Sequence, residues 1–582
     1  MTVAAPSPSP SFAAPPRRVF HGQALYSVAA TRQIEQAAQR RLPPHTLMQR
    51  AGRALARLAL ALAPHARCIW LACGPGNNGG DGLQAAAHLR QWGLPVCVSW
   101  LGGALDEAAL PADARASLRI ARAAGVPFLP PEGDLPALGP GDLGVDALLG
   151  IGADRPPAGL MGRWLAHLHG CGADVLAADV PTGLNADTGT LNWPMPAPGA
   201  ARHTLSLLTC KPGLFTASGR DACGSVWFHD LGISPDAACG LARDAACDAA
   251  HAAPAANSAS SASSASSANS ANSANSANSA NSANSAAAPF PPPAAWLAAA
   301  PAPAPARPHA SHKGSRGDVA IVGGENAPAR GSAMPGAAWL AASAALHAGA
   351  GRVFVSPLLP EGQNWPLLPA LPQPEFMLRR LADLPWAQLS VACGCGGGQA
   401  VQAALPLVIE RAARLVLDAD ALNALAARAD CQQAVRQRRA RGQPTVLTPH
   451  PLEAARLLGL PDAAAVQQNR LAAAAELADR YQAAIVLKGS GSVIAAPGQT
   501  PRINPSGNAR LASGGTGDVL AGLIAARLAS APPQAALVDA AFDVAFEAAT
   551  LAVWQHGAAA DAWPADAPTL TASALARRLP VE

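Results

Sequence analysis

Gly514-Gly515-Thr516-Gly517-Asp518 brings glycines and one carboxylate together just ahead of a small-residue helical run, AGLIAARLA. Glycines let a backbone approach an anion closely, and the free N–H groups and dipole of a helix start favour negative charge there. A carboxylate beside a phosphate site is repelled unless it has a task. The usual task is to take the proton of a hydroxyl that attacks the phosphate. A helix-starting turn capped by Asp518 would use the same residues. Three more polar clusters follow apolar strand-like runs: Asp418-Ala-Asp420-Ala-Leu-Asn423, Thr448-Pro449-His450-Pro451 and Lys488-Gly489-Ser490-Gly491-Ser492. Open α/β sheets bind ligands at their strand ends. Each cluster alone is weak, but four of them are hard to attribute to turns.

A second set lies earlier in the chain. Gly74-Pro75-Gly76-Asn77-Asn78-Gly79-Gly80-Asp81-Gly82 stands between a strand pattern and a helix read from about Gly82. It is not the GxGxxG dinucleotide fingerprint, and as a lone glycine loop it also reads as a tight turn. Asp146 follows a short strand and precedes Gly150-Ile151-Gly152-Ala153-Asp154-Arg155-Pro156, and Asp179 opens Asp179-Val-Pro-Thr182-Gly183. Asp146 and Asp179 with Asn78 and Thr182 make oxygen donors suited to a hard monovalent or divalent cation. Asp154 and Asp187 read as turn residues. Lys211 reads equally as a phosphate partner or a surface lysine.

The elements that must position these groups alternate between short continuous apolar strands and helices, which predicts mostly parallel sheets covered on both faces. Helical patterning begins with Thr31 as a cap. At 582 residues the chain is too long for one core. The start, 1–22, is Pro/Ser-rich and expected to be disordered, and lacks the charge order of a secretory signal. Residues 236–304 carry an Ala/Ser/Asn repeat with Pro-rich flanks, which predicts a flexible linker and two halves that fold separately. The net charge of +4 is spread thinly, with no basic stripe for nucleic acid. No apolar run is long enough to cross a membrane. The 11 cysteines form no zinc pattern and suit reduced thiols in a cytoplasmic protein.

KGSRGDVAIVGG, GAAWLAASAALHAGAGRV, PEFM, DADALN, LTPHPLE, VLKGSGSVI and NPSGNARLASGGTGDVLAG occur in the order and spacing of the NAD(P)H-hydrate dehydratase family, which the chain resembles over 305–580. The Asn/Gly loop with the Asp146, Asp179 and Lys211 segments resembles the NAD(P)H-hydrate epimerase family over about 25–235. The resemblance implies an N-terminal Rossmann-like three-layer α/β/α sandwich (23–235) and a C-terminal ribokinase-like α/β/α domain (305–582). It further implies repair of NADH and NADPH hydrates. The N-terminal half would interconvert R and S forms, and the C-terminal half would dehydrate the S form with ADP, giving AMP and phosphate.

Carried over by motif, Lys488, Gly489, Ser490, Gly491, Ser492 and Gly517 would hold the nucleotide with magnesium. Ala337, Gly398, His450 and Asp518 would contact the hydrate in the second half. In the first, Asn77, Asn78, Gly79, Gly80, Asp81, Asp179 and the run Gly150, Ile151, Gly152, Ala153, Asp154, Arg155, Pro156 would contact it. Asn78, Asp146 and Thr182 would bind potassium. Asp146, Asp179 and Asp518 are the expected catalytic groups, and a homo-oligomer is expected. Two departures stand out: the family's GPGLG is Gly394-Cys395-Gly396-Gly397-Gly398 here, and ENAPARGSAMP lacks a usual aromatic residue. The competing reading is a ribokinase-like small-molecule kinase fused to a nucleotide-binding domain. A binding module without turnover is a third, against which the three aspartates argue.

Overall fold

In the computed structural model, residues 15–104, 107–152, 155–194, 200–233, 290–302, 308–327, 331–359, 373–531 and 538–579 are described. The described residues up to Leu231 and from Pro292 onward belong to one compact unit.

The first half is built on an eight-stranded sheet in the order Arg17–Arg18, Ser225–His229, Arg202–Leu207, Asp174–Ala178, Leu143–Ala147, Ile69–Cys73, Val96–Trp100, Phe128–Leu129. Its pairings are parallel except at the Arg17–Arg18 edge. Ile69–Cys73 and Leu143–Ala147 are buried at every residue, as continuous apolar strands covered on both faces must be. The helix Thr46–Leu62 buries Leu47, Met48, Ala51, Leu55, Leu58 and Ala59, an apolar stripe at three- and four-residue spacing.

The second half carries an eleven-stranded sheet. From Met377–Leu378 it runs through Arg352–Pro357, Asp318–Gly323, Leu389–Cys393, Arg414–Leu417, Thr445–Leu447 and Ala484–Leu487, all parallel. Val493–Ala495 and Arg502–Ile503 then pair antiparallel. Helices Pro335–His347 and Thr516–Ser530 pack on one face; Ala-rich surfaces let them approach closely.

Several expectations are corrected. The strand Ala295–Leu297 lies inside the stretch read as linker, and Arg17–Arg18 inside the stretch read as disordered. The halves are joined by direct contacts as well as by the chain between them. Ala295–Leu297 joins the second sheet beside Arg502–Ile503, and Ala24–Leu25 of the first half completes its edge. Leu214 and Phe215 share one hydrophobic core with Ala295, Leu297 and Ile503. Thr31 is not a cap; Ser27 caps Val28–Gln39 by accepting from the Ala30 N–H, and Thr31 lies buried one turn in. The helix read from Gly82 begins at Asn77. The Ala/Ser/Asn repeat lies outside the described residues.

Candidate active sites

In the second half the strand ends converge as their polar clusters suggested. Asp418, 2% exposed, accepts from Lys488 Nζ at 2.6 Å and Thr448 Oγ1 at 2.7 Å. Burial alone would push the Lys488 ammonium down. Asp418 and Glu453 outweigh it, so its pKa is raised and the lysine stays charged. Glu453 Oε2 lies 4.0 Å from Lys488 Nζ and accepts from the His450 N–H at 2.8 Å. His450 Nδ1 in turn accepts from the Leu452 and Glu453 N–H groups, which fixes the ring at the start of Pro451–Leu458. Burial, then Lys488, holds its imidazole below the usual range.

Asp518 sits in the first turn of Thr516–Ser530, after Gly515 in the left-handed conformation (φ 88°). Burial first, and Asp418 second, push its carboxyl up to about 7, while the Cys395 thiol and Lys488 pull the other way. Cys395, Asp418 and Asp518 bring their ligand atoms within 4.8 Å of one another. Burial holds the Cys395 thiol well above its usual range, hence protonated.

Two cavities flank this centre. One of about 560 Å³ is lined by Lys488, Gly489, Ser490, Ser492 and Gly517, so five of the six residues assigned to the nucleotide share one wall. Gly491 faces away, toward Phe215. His556 also lines it; its Nε2 lies 2.9 Å from the Thr516 carbonyl, and burial lowers its pKa to about 4, so the ring is neutral. The other, about 470 Å³, is lined by Gly398, Glu325, Asp420 and Asn423 among others. The Gly398 N–H donates to Asp420 Oδ2 at 2.8 Å. Ala337 packs at Gly396 beside the Gly394–Gly398 loop.

In the first half a cavity of about 500 Å³ is lined by Asn77, Asn78, Asp81, Gly150, Ile151, Gly152 and Asp179. Gly79 and Gly80 are buried within the helix and do not line it. A Cβ on Gly79 would fall on the carbonyl oxygen of Gly74, so only glycine lets this helix start against the strand end. Arg155 and Pro156 are exposed and outside the lining, and Ala153 and Asp154 lie outside the described residues.

Asp146 is not in the cavity wall. It lies beneath it, 2% exposed, accepting from Thr182 Oγ1 at 2.6 Å, the Thr182 N–H at 2.8 Å and the Leu148 N–H at 3.2 Å. Burial still raises its pKa. Asp179 does reach the cavity and holds a left-handed backbone (φ 64°). Lys211 is fully buried, not a surface residue, and its ammonium pairs with Asp179 and donates to the Leu207 carbonyl at 2.8 Å.

Two family models match the chain: "YjeF-related protein N-terminus" over residues 44–213 and "NAD(P)H-hydrate dehydratase" over 319–580. The bifunctional NAD(P)H-hydrate repair enzyme of Escherichia coli K12 is 34% identical over 537 residues, spanning 89% of this chain and 85% of that protein. The chain belongs to the bifunctional NAD(P)H-hydrate repair enzymes. The Coxiella burnetii repair enzyme is 32% identical, over 86% of this chain and 89% of that protein. A solved ADP/ATP-dependent NAD(P)H-hydrate dehydratase from Bacillus subtilis, co-crystallized with ATP/Mg2+, is 30% identical over 47% of this chain and 92% of its own, with a TM-score of 0.36.

Sequence reasoning missed several groups of this repair enzyme. Glu35 lines the first cavity, its carboxyl raised by burial and then by Asp179. Only the fold brings its helix over the Asn/Gly turn. His556 is equally distant in sequence from its neighbours. Cys395 could have been found, because it is one of the departures from the family's loop and stands beside Asp518. No helix among the described residues is long and apolar enough to cross a membrane.

Proposed function

We propose that the C-terminal half dehydrates the S form of NADH and NADPH hydrates at the expense of ADP, and that the N-terminal half interconverts the R and S forms. The observation that supports it best is Asp518: a carboxyl pushed to about 7, in the helix turn that also presents Gly517 to the 560 Å³ cavity. Such a group can accept the hydrate's hydroxyl proton near neutrality while that oxygen takes the terminal phosphoryl of ADP, releasing AMP. Hydroxide is a poor leaving group and phosphate a good one. Phosphate then departs with its bonding pair, a proton leaves the adjacent ring carbon, and the dihydropyridine is restored.

Lys488, Gly489, Ser490, Gly491, Ser492 and Gly517 would hold the nucleotide; Asp518, Gly398, His450 and Ala337 would hold the hydrate. Magnesium would travel on the nucleotide phosphates. The Cys395, Asp418 and Asp518 cluster does not suit it, because the thiol is protonated and Asp418 is already paired with Lys488, whereas magnesium selects available oxygens.

In the N-terminal half Asp179 is the acid–base group, paired with Lys211, and Asn77, Asn78, Asp81 and Gly150 to Gly152 line the pocket for the hydrate. The position of Asp146 suits an ion ligand better than a proton carrier. Potassium fits Asn78, Asp146 and Thr182: the side-chain donors are oxygens, and the carboxylate is buried with no ion-pair partner among the described residues. When bound, the ion would offset that buried charge and offer a positive field to an oxygen of the substrate.

The test is recovery of the reduced-nicotinamide absorbance band from mixed R and S NADH hydrates, with ADP, magnesium and potassium. Wild type should restore the whole pool, Asp179→Ala should stop after the S fraction, and Asp518→Ala should restore none. ADP consumed without recovery of absorbance would sink the dehydratase reading and favour a small-molecule kinase.

A further inference from the structure

The nucleotide cavity of the second half is not built by the second half alone. Arg220 and Asp221, from the helix Gly219–Cys223 of the first half, stand in its wall. Arg220 Nη2 donates to the carbonyls of Pro505 at 3.1 Å and Gly507 at 2.7 Å, holding the opposite loop of the cavity. Three residues earlier, the chain grips the Lys488–Ser492 loop. The Ala217 N–H donates to the Ser490 carbonyl at 3.1 Å, and Thr216 Oγ1 reaches the carbonyls of Ser490 at 3.3 Å and Gly491 at 3.1 Å. Arg470, fully buried, donates from Nε to Thr216 Oγ1 at 3.0 Å and from Nη2 to the carbonyls of Leu487 and Lys488.

These bonds have a directional consequence. A trans peptide points its N–H opposite to its carbonyl. With the Ser490 and Gly491 carbonyls drawn to Thr216, the N–H groups of Gly491 and Ser492 are turned away from it. Thr216 does not line the cavity, whereas Ser490 and Ser492 do. The fit is close: Gly491 is left-handed (φ 60°), and a Cβ there would fall on the Phe215 carbonyl oxygen.

We propose that Thr216 and Arg220 of the N-terminal half are positioning residues of the C-terminal nucleotide site, Thr216 aiming the loop's N–H donors at the phosphates and Arg220 fixing the facing wall. The two activities are thus joined by structure and not merely by a tether. This rests on the nucleotide reading of the cavity given above.

The test uses the full-length chain. Thr216→Val and Arg220→Met should each raise the KM for ADP by roughly tenfold with kcat largely kept. Thr216→Ser, which retains the hydroxyl, should restore the wild-type KM. R-to-S conversion without nucleotide, followed by chromatography, should be unchanged in all three. Unchanged KM in both Thr216→Val and Arg220→Met would overturn the inference, as would parallel loss of epimerisation, which would mark general unfolding. ADP affinity measured by calorimetry gives a second reading independent of turnover. If wild type binds ADP without dehydrating hydrates, the proposed reaction fails while this inference is still decided by the variants' affinities.

Discussion

Asp518 carries opposite consequences for activity and for stability. Its folded pKa of about 7 lies above the usual 3.8 because burial, and then Asp418, disfavour the charged form. As a base it is competent only when ionised, so kcat/KM for dehydration should climb with pH and level off above about 7. A profile that falls through that range would mean it acts as an acid. Asp518→Asn should lose at least about a hundredfold in rate. The stability sign is the reverse. The folded state keeps a proton that the unfolded chain gives up, so wild type loses stability as pH rises from the ordinary carboxylate range through about 7. Asp518→Asn should therefore melt higher than wild type at pH above that value, and with a smaller difference in acid; equal melting differences at both ends would contradict the shift. Lys211 belongs to the same scale. It is fully buried against Asp179, so Lys211→Met strands a carboxylate and should cost about 3–5 kcal/mol in urea unfolding. A loss below about 1 kcal/mol would show that the pair contributes little. The places of Asp146 and Asp179 at strand ends, and of Asp518 at a helix start, were legible because apolar runs lead into the first two and glycines precede the third. Lys211 was not, because a lysine after a strand reads the same whether it points to water or into the sheet.

Among elements, the alternation of strands and helices was readable, since a continuous apolar run between turn residues has few other solutions. The helix Asn77–Gln91 shows where such reading fails. Three glycines in its first six residues argue against helix by propensity, yet the helix starts there. Tertiary contact wins: Gly79 lies against the Gly74 carbonyl, and the turn presents Asn77, Asn78 and Asp81 to the cavity. Gly79→Ala forces this turn off the strand end, because the obstructing atom is backbone and cannot rotate aside. Such overpacking should cost about 3 kcal/mol and abolish R-to-S conversion, while S-hydrate is still dehydrated. Full epimerase activity in Gly79→Ala would show that the turn is not held as tightly as the contact implies. Ala24–Leu25, at the sheet edge, and Ala295–Leu297, between it and Arg502–Ile503, escaped notice for a related reason. Each is too short to carry a period, and each is a strand only because segments distant in sequence offer partners.

At the scale of the molecule, composition pointed to two halves on a tether, and contacts give a different result. A repeat of Ala, Ser and Asn says that its own residues cannot build a core; it says nothing about whether the flanking halves bury surface against each other. Here they share a sheet edge, a hydrophobic core and the loop held by Thr216. The functional logic of fusion then needs no long connection: both epimers arise together, and the epimerase supplies the form the dehydratase accepts, but association alone would keep the two activities at equal number. A protease site placed within the Ala253–Ala288 run tests this. After cleavage the fragments should co-elute at the size of the intact chain, because the severed covalent link is replaced by contacts already present. They should still clear a mixed hydrate pool, with the KM for ADP unchanged. Separation of the fragments in ordinary buffer, with a weakened nucleotide site in the C-terminal piece, would mean that the tether supplies the effective concentration on which this interface depends.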